Sequence, residues 1–303
     1  MLSVVVNFFN NRREARNTLH SLTAAYQRGA DSHAYEVIAV DNGSAEPLSQ
    51  EEVRAFGPQF RYRFVNTTSV SPAAAINAAC RDANAEQLLV IIDGAHILTP
   101  GVLELATKAF KAFATPFIAT VPFHLGPKHQ YDSMLEGYNQ QVEDAVLASL
   151  GWRDNGYRLF SASAAFADAS EGWFGMLFES GCFGLRKSDF LALGGLDERF
   201  QSRGGGLVNL DFFRRAQSRE DLDYVVLLGE GSFHQFHGGV ATNTRREQQP
   251  WAEFDKEYAR IRGEPYRRLP RAPVLLGSIS REATHVAQYS SAKGFALWEQ
   301  LRR

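Results

Sequence analysis

The first hundred residues alternate between short, entirely apolar runs and amphipathic helical patterns, and this alternation restricts the fold more than any other feature. We expect the order β-α-β-α-β. The segments are an apolar run Leu2 to Phe9, a helix Arg13 to Tyr26, a run Tyr35 to Ser44, an extended piece Arg61 to Asn66, a helix Pro72 to Asn84 and a run Glu86 to Gly94. Strands read as continuously apolar when both of their faces are buried. The pattern therefore predicts an α/β fold with a mostly parallel sheet and helices on both faces.

Composition excludes several classes of protein. The chain has 303 residues, 45% hydrophobic and 22% charged, with a formal net charge of −2, so nucleic acid is not expected to be a main partner. The two cysteines, Cys80 and Cys182, are far apart and form no metal or redox motif. The apolar N-terminal run has no basic leader and is too short to span a bilayer. We expect a cytoplasmic protein whose membrane association is at most peripheral.

Two of the apolar runs end in an aspartate, Asp41 and Asp93. In open parallel sheets, ligands gather at the carboxyl ends of the strands, so both carboxylates are predicted to lie on the binding edge. The sequence contains neither the G-x-G-x-x-G fingerprint nor a Walker loop, which disfavours dinucleotide dehydrogenases and P-loop NTPases. A divalent cation such as Mg²⁺ or Mn²⁺, with Asp93 as its first ligand, is the simplest alternative means of neutralising a phosphate.

Four segments, taken in order, resemble GT-A glycosyltransferases of the large family 2 type: VVVNFFNNRREARNTLHSL, VIAVDNGS, LLVIIDGAHILTPG and SGCFGLRKSDFLALGGLDERF. The resemblance covers Leu2 to Gly239. It implies a Rossmann-like GT-A domain over residues 1–240, with a nucleotide-binding half (1–122) and an acceptor half (123–240). Residues 241–303 are expected to form a C-terminal helical extension.

The resemblance implies transfer of a sugar from a nucleotide-diphosphate sugar, most often a UDP-sugar, to a saccharide or another acceptor hydroxyl. Family members use the corresponding positions to bind the donor. By similarity, Asp41 would bind uracil, Phe8, Phe9 and Asn10 would line the base pocket, and Asp93 would reach the ribose and the metal.

The metal motif of the family, D-x-D, is incomplete here, because Ala95 stands where the second carboxylate belongs. His96 could supply an imidazole instead, which suits Mn²⁺ better than Mg²⁺, or it could simply pack in the loop. In the family a later histidine often completes the metal site, and His234 and His237 are the candidates, with His234 favoured. In an extended segment their odd spacing would point the two rings to opposite sides. One of them, or both, could instead be structural.

The catalytic base is harder to assign. The family's G-x-E-D segment corresponds to RGGGLVNLDFF, which places Val208 and Asn209 at the acidic pair. This asparagine also resembles the G-G-E-N segment of retaining polypeptide N-acetylgalactosaminyltransferases, whose first acidic motif is D-x-H, so inversion and retention both stay open. Asp211 and Glu179 are the candidate bases. Asp211 could equally be a helix-start carboxylate paired with a nearby arginine.

Two further segments have alternative interpretations. Arg203, followed by three glycines, could close over the donor diphosphate, although an exposed loop tip explains the glycines equally well. An aromatic-rich connection could contact the acceptor or fill the core. Its aromatic residues are Trp152, Tyr157, Phe160 and Trp173.

Two other functions compete with glycosyl transfer. A non-catalytic nucleotide-sugar-binding homologue would explain the missing acidic residues. A sugar nucleotidyltransferase shares the sheet and the donor, but the loop after the first strand lacks the expected glycine-rich sequence with its lysine.

Overall fold

A computed structural model describes residues 1–30, 35–166, 171–239 and 242–301, apart from the side chains of residues 246, 296–298, 300 and 301. The strands are β1 (Leu2–Phe8), β2 (Tyr35–Asp41), β3 (Phe60–Phe64), β4 (Gln87–Ile91), β5 (His96–Leu98), β6 (Pro116–Leu125), β7 (Ser163–Ala165), β8 (Cys182–Arg186), β9 (Asp223–His234) and β10 (Val274–Gly277). The helices are α1 (Arg12–His20), α2 (Gln50–Arg54), α3 (Ala73–Asp82), α4 (Val102–Ala112), α5 (Gln130–Leu135), α6 (Gln140–Leu150), α7 (Lys187–Ala192), α8 (Val208–Gln217), α9 (Trp251–Arg262) and α10 (Thr284–Leu301). Short 3₁₀ helices occupy Gly156–Ala162, Arg203–Gly205, Arg246–Gln248 and Arg281–Ala283.

The strands form one mixed sheet in the order β10-β9-β6-β8-β4-β1-β2-β3, with β5 added to β9 and β7 added to β6. The pairs β1–β2, β1–β4, β2–β3, β6–β9 and β9–β10 are parallel. Strand β8 runs antiparallel to both of its neighbours, and β5 and β7 are antiparallel additions. The structure confirms the α/β fold with a mostly parallel sheet, because every strand predicted in the first hundred residues is present.

The core divides between the two faces of the sheet, as the period-2 alternation of strands requires. On β1, Val5 belongs to the buried cluster that includes residues of α3 and α8, whereas Val4, Val6 and Phe8 belong to the cluster that includes residues of α1 and α4. Phe8 is 1% exposed. The Phe8 ring lies next to Gly94. A Cβ atom added to Gly94 would be 2.1 Å from Cδ1 of Phe8, so the loop after β4 needs a glycine at this position.

Helix α6 shows how local sequence fixes an element beside the site. Asn139 caps it by accepting the backbone N–H groups of Gln141 and Val142, and Gly151 ends it in the left-handed conformation with φ of 57°. Glu143 in its first turn is buried. This carboxylate accepts the N–H of Phe236 and the hydroxyl of Tyr138, and so fastens the segment after β9 to α6.

The aromatic connection mainly fills the core. Trp152, Phe160 and Trp173 are each at most 1% exposed, and Trp173 donates its indole N–H to the carbonyl of Glu230. The hydroxyl of Tyr157 donates to the Glu230 carboxylate at 2.8 Å. Phe160, Trp173 and Tyr157 therefore contact β9, and Trp152 packs against Tyr26, so the connection supports the core.

The stretch after residue 240 contributes more than helices, because β10 extends the sheet beyond β9. Helix α9 packs on the core through Phe254 and Tyr258. No helix among the described residues combines the length and the apolar character needed to cross a membrane.

Candidate metal and donor site

Strand register brings three histidines into one row. His96 on β5 is paired with His234 on β9, and His124 on β6 is paired with the same residue from the other side. Residues directly opposite one another in a sheet point to the same face. The imidazoles of His96 and His124 accordingly flank that of His234, with ring centroids 5.1 and 5.9 Å away.

Asp93 lies two residues after the end of β4, where its carboxylate faces this row. Its Oδ2 atom is 3.1 Å from Nε2 of His237 and 3.5 Å from Nε2 of His234. Its Oδ1 atom accepts hydrogen bonds from the Asn11 side chain and from the backbone of Ala95, both at 3.0 Å. One carboxylate oxygen is thus held by the protein, while the other faces two imidazoles.

The separations among these atoms suit a shared metal ion. The two Nε2 atoms of His234 and His237 are 3.1 Å apart. Ligand atoms bound about 2.0–2.2 Å from one ion lie about 2.9–3.6 Å from each other in octahedral or tetrahedral coordination. His96 is slightly more distant, since it offers a nitrogen within 4.8 Å of the ligand atoms of Asp93 and His234. Its Nδ1 atom is buried and has no hydrogen-bond partner among the described residues.

The protonation states also favour a cation. Burial opposes ionisation of Asp93, but the charges and hydrogen bonds of His237 and His234 outweigh it and hold its pKa well below the usual range. Burial lowers the pKa of His96 to about 3, so this imidazole is neutral. Burial likewise lowers the pKa of His234. The arrangement therefore offers an anionic oxygen beside the neutral imidazoles of His96 and His234. Burial lowers the pKa of His237, but the charge and hydrogen bond of Asp93 outweigh it and raise this pKa above its ordinary value, so a bound metal would displace a proton from the third imidazole. Carboxylate and imidazole ligands together suit a first-row transition ion better than Mg²⁺.

His96 reaches this position because Gly181 leaves room for it. A Cβ atom added to Gly181 would lie 2.6 Å from Cε1 of His96. Gly181 directly precedes β8, whose antiparallel pairing with β4 brings it beside the end of that strand. The glycine of the SGCFG segment thus has a steric role at the candidate metal site.

The histidine row opens into a cavity of about 1170 Å³. Phe9, Asn10 and Asp93 line it from the ends of β1 and β4, and Glu179 and Arg203 line it from the acceptor half. Phe9 is 38% exposed, as a residue free to stack on a ligand must be. Asn10 has φ of 54° and ties the end of β1 to the loop after β2 through Ser44 and Ala45.

Three of the predicted site residues lie elsewhere. Phe8 is in the core, because alternation along β1 turns it away from Phe9. Asp41 is 1% exposed, and its carboxylate accepts the N–H groups of Ser44 and Leu48 at 2.9 and 3.2 Å, so it holds the loop after β2. Neither residue is among the described residues that line the cavity.

Asp211 is the third, and its surroundings correct the prediction of a catalytic base. It is 1% exposed and forms ion pairs with Arg215 at 2.8 Å and with Arg262 at 2.6 Å. It is not among the described residues that line the cavity, whereas Glu179 and Asn209 are. A carboxylate held between two guanidinium groups is poorly placed to accept a proton from an acceptor hydroxyl.

Several residues of the site are missed by sequence reasoning. Asn11, Gln130 and Asn243 contact the ligand set through hydrogen bonds, and His124 and His129 line the cavity. The one available signal was the position of His124 at the end of an apolar run. The polar amides follow no motif, because only the fold brings them to the histidines.

Comparison with known proteins agrees with this architecture. Residues 3–187, more than half of the chain, match the sequence model described as glycosyl transferase family 2. No curated protein sequence matches the chain.

Among solved structures, S. aureus TarS 1–349 is 15% identical with a TM-score of 0.52, covering 77% of this chain and 60% of that one. The same region with UDP-GlcNAc is 14% identical with a TM-score of 0.52, covering 96% of this chain and 71% of that one. Full S. aureus TarS is 14% identical with a TM-score of 0.52, covering 86% of this chain and 42% of that one. At this identity the likeness concerns the fold alone.

Proposed function

Because the chain belongs to glycosyl transferase family 2, we propose that it moves a sugar from a nucleotide-diphosphate sugar, with a UDP-sugar the first candidate, to an acceptor hydroxyl in a divalent-metal-dependent reaction. One observation carries the proposal. The Asp93 carboxylate and the imidazoles of His234 and His237 lie 3.1–3.5 Å apart at the wall of a cavity large enough for such a donor.

Asp93, His234 and His237 would hold the ion, with His96 as a fourth donor. A bound Mn²⁺ or similar ion would neutralise the diphosphate and stabilise it as a leaving group. Among the described residues that line the cavity, Arg203 and Arg268 carry a permanent positive charge. Arg203 lines the cavity on the exposed 3₁₀ turn and is the residue we assign to the donor diphosphate.

Phe9 and Asn10 are assigned to the nucleotide, since both line the cavity at the end of β1. S. aureus TarS, which shares the fold, has a structure in complex with UDP-GlcNAc, and this supports a uridine donor. Asp41 would support the nucleotide site indirectly, because it holds the loop after β2 and would not contact the base itself.

Glu179 is the carboxylate we assign to the acceptor side. It lines the same cavity as Asp93, whereas Asp211 is engaged by Arg215 and Arg262. A general base must come within hydrogen-bond reach of the acceptor hydroxyl. The aromatic residues Trp251 and Tyr266, which also line the cavity, offer faces on which a saccharide acceptor could pack.

A titration of UDP with and without Mn²⁺ by calorimetry tests the metal dependence. We expect binding with Mn²⁺ to be at least about tenfold tighter, since the ion links the diphosphate to Asp93. A panel of nucleotide sugars, assayed for donor hydrolysis and transfer, then identifies the sugar. Equal UDP affinity with and without the ion would overturn the metal-dependent reaction.

A non-catalytic nucleotide-sugar-binding protein is the second candidate. Asn209, which stands in the family's acidic pair, lines the cavity, and within the described part of the chain its buried Oδ1 atom has no hydrogen-bond partner. Such a protein would bind UDP with Mn²⁺ but consume no donor from the panel. Donor turnover above the rate of the Glu179→Gln variant would exclude this alternative.

A further inference from the structure

We propose that Gln130 and Asn243 are positioning residues of the metal site, because they fix which nitrogen of His234 faces Asp93 and where the backbone holds His237. This inference rests on the proposed metal-dependent function. Neither residue touches the Asp93 carboxylate, and both act through hydrogen bonds to the histidine segment.

The orientation of the Gln130 amide follows from the backbone. Its Nε2 atom lies 2.7 Å from the carbonyl oxygen of His234, which can only accept a hydrogen bond. The amide NH₂ must therefore be at that position, and the amide oxygen must be the atom 2.8 Å from Nδ1 of His234.

This orientation decides the tautomer of His234. An amide oxygen only accepts, so Nδ1 of His234 must carry the hydrogen. The neutral ring then has its lone pair on Nε2, the atom that faces Asp93 and His237. Histidine ligands to metals commonly donate their second ring N–H in this way, which fixes the ring and strengthens the donor nitrogen.

The hydrogen bonds of Asn243 lead independently to the same orientation of the Gln130 amide. The Oδ1 atom of Asn243 accepts the backbone N–H groups of His237, Gly238 and Gly239 at 3.1, 2.9 and 2.9 Å. Its NH₂ group consequently faces the amide oxygen of Gln130, at 3.0 Å. One asparagine thus shapes the turn that carries His237 and also supports the amide that orients His234.

The turn also explains how His234 and His237 face the same side. In an extended strand, residues three apart would point to opposite sides. β9 ends at His234, and the chain then folds back, with Gly238 at φ of 84°. The three N–H groups held by Asn243 keep this turn closed. Joint ligation by both histidines depends on the turn, and the turn depends on Asn243.

The experiment uses Gln130→Met, which keeps the length of the side chain but removes both hydrogen bonds. Gln27→Met is a matched control, because Gln27 is 3% exposed and also makes buried hydrogen bonds, to Ser21, Thr99 and Leu103, outside the metal site. Asn243→Ala, at a partly exposed position, provides a second variant that should fold. Each full-length protein is titrated with Co²⁺ alone by calorimetry, the visible absorption of bound Co²⁺ is recorded, and thermal unfolding monitors folding.

We expect Gln130→Met to bind Co²⁺ about 10–100-fold more weakly than the parent protein and to change the Co²⁺ spectrum, as second-sphere changes do at other metal sites. Asn243→Ala should weaken binding about tenfold, and Gln27→Met should match the parent. Co²⁺ affinity within twofold of the parent in both Gln130→Met and Asn243→Ala, with unchanged spectra, would overturn the inference. So would a parent protein that binds no Co²⁺. A parent that binds Co²⁺ in a Gln130-dependent way yet consumes no nucleotide sugar would contradict the proposed function and leave this inference standing.

Discussion

The Asp93 and Asp211 carboxylates lie in one fold but have different partners: histidines face Asp93, and arginines enclose Asp211. Asp211 is buried between Arg215 and Arg262, two groups that carry a permanent positive charge. Asp93 faces His234 and His237 at the wall of a cavity, and its side chain keeps 31% exposure. Each carboxylate is stabilised, but only Asp211 is neutralised by arginine.

The difference separates a carboxylate engaged by arginines from the carboxylate that we propose as a metal ligand. Arginine side chains leave no lone pairs for a metal, so the Asp211 group is complete without a ligand. Imidazoles have lone pairs, and Asp93 with its histidines is therefore an electron-rich cluster that a cation from solution would complete. Each prediction below tests this contrast.

Asp211→Asn should cause the largest loss of stability, about 3–5 kcal/mol, because it removes the buried anion shared by the half-buried guanidinium groups of Arg215 and Arg262. Urea denaturation measures the free energy of unfolding. Asp221→Asn is the control, since that carboxylate pairs with Arg219 at the surface, and it should change nothing measurable. If Asp211→Asn folds as stably as the parent, the structural half of the contrast fails.

Asp93→Asn should weaken binding of Mn²⁺ or Co²⁺ about 100-fold, or about 2.7 kcal/mol, because the anionic ligand is lost. Calorimetric titration without nucleotide measures this directly. Stability should stay near that of the parent, since the asparagine oxygen can still accept the N–H of Ala95. Asp144→Asn, at an exposed carboxylate, is the control. Undiminished metal affinity in Asp93→Asn would place the ion elsewhere.

Glu230 provides an intermediate case, because its carboxylate accepts hydrogen bonds from Tyr157 and the Gly101 N–H. Burial raises its pKa from the ordinary 4.5 to about 7. The folded protein then binds more protons than the unfolded chain between these two values, so the free energy of unfolding falls as pH rises through that window.

Glu230→Gln should remove this fall, which is on the order of 2 kcal/mol between pH 5 and pH 8. Urea denaturation at several pH values compares it with Glu136→Gln, a surface substitution that should keep the slope of the parent. Identical pH profiles for Glu230→Gln and the parent would show that this carboxyl titrates normally in the fold.

Arg199→Gln should have the smallest effect of all. Arg199 pairs with Asp197 at 2.6 Å, but its side chain is 60% exposed, and Arg262 also reaches Asp197 at 2.8 Å. Surface ion pairs of this kind contribute little. We expect no measurable change in urea midpoint, and a loss like that of Asp211→Asn would mean that burial does not govern these pairs.

The sequence predicted the sheet well because its signal is local. Continuous apolar runs and helical periodicity identify β1, β2 and β4 without tertiary information. The same alternation could have excluded Phe8, since Phe8 and Phe9 cannot face the same side of one strand.

The candidate site was predicted only in part. Asp93 was identified because it ends an apolar strand, and His234 and His237 through the family resemblance. Gln130 was not identified, since its contacts with His234 and Asn243 span 104 and 113 residues. Asn243 lies close to His237 in sequence, but no motif marks it, because its hydrogen bonds to that segment depend on the turn. The register that aligns β5, β9 and β6 is a tertiary property, and no single segment encodes it.

The position of β9 has a consequence for shortened forms of the chain. β10 covers its outer side, with Val274 beside Val225 and Gly277 beside Leu228. A chain cut after residue 240 would expose the N–H and C=O groups of β9 along this side, and bare strand edges recruit other chains. The same strand carries His234, so trimming the C-terminal region should bring self-association and a weakened cation site together, even though no ligand would have been removed.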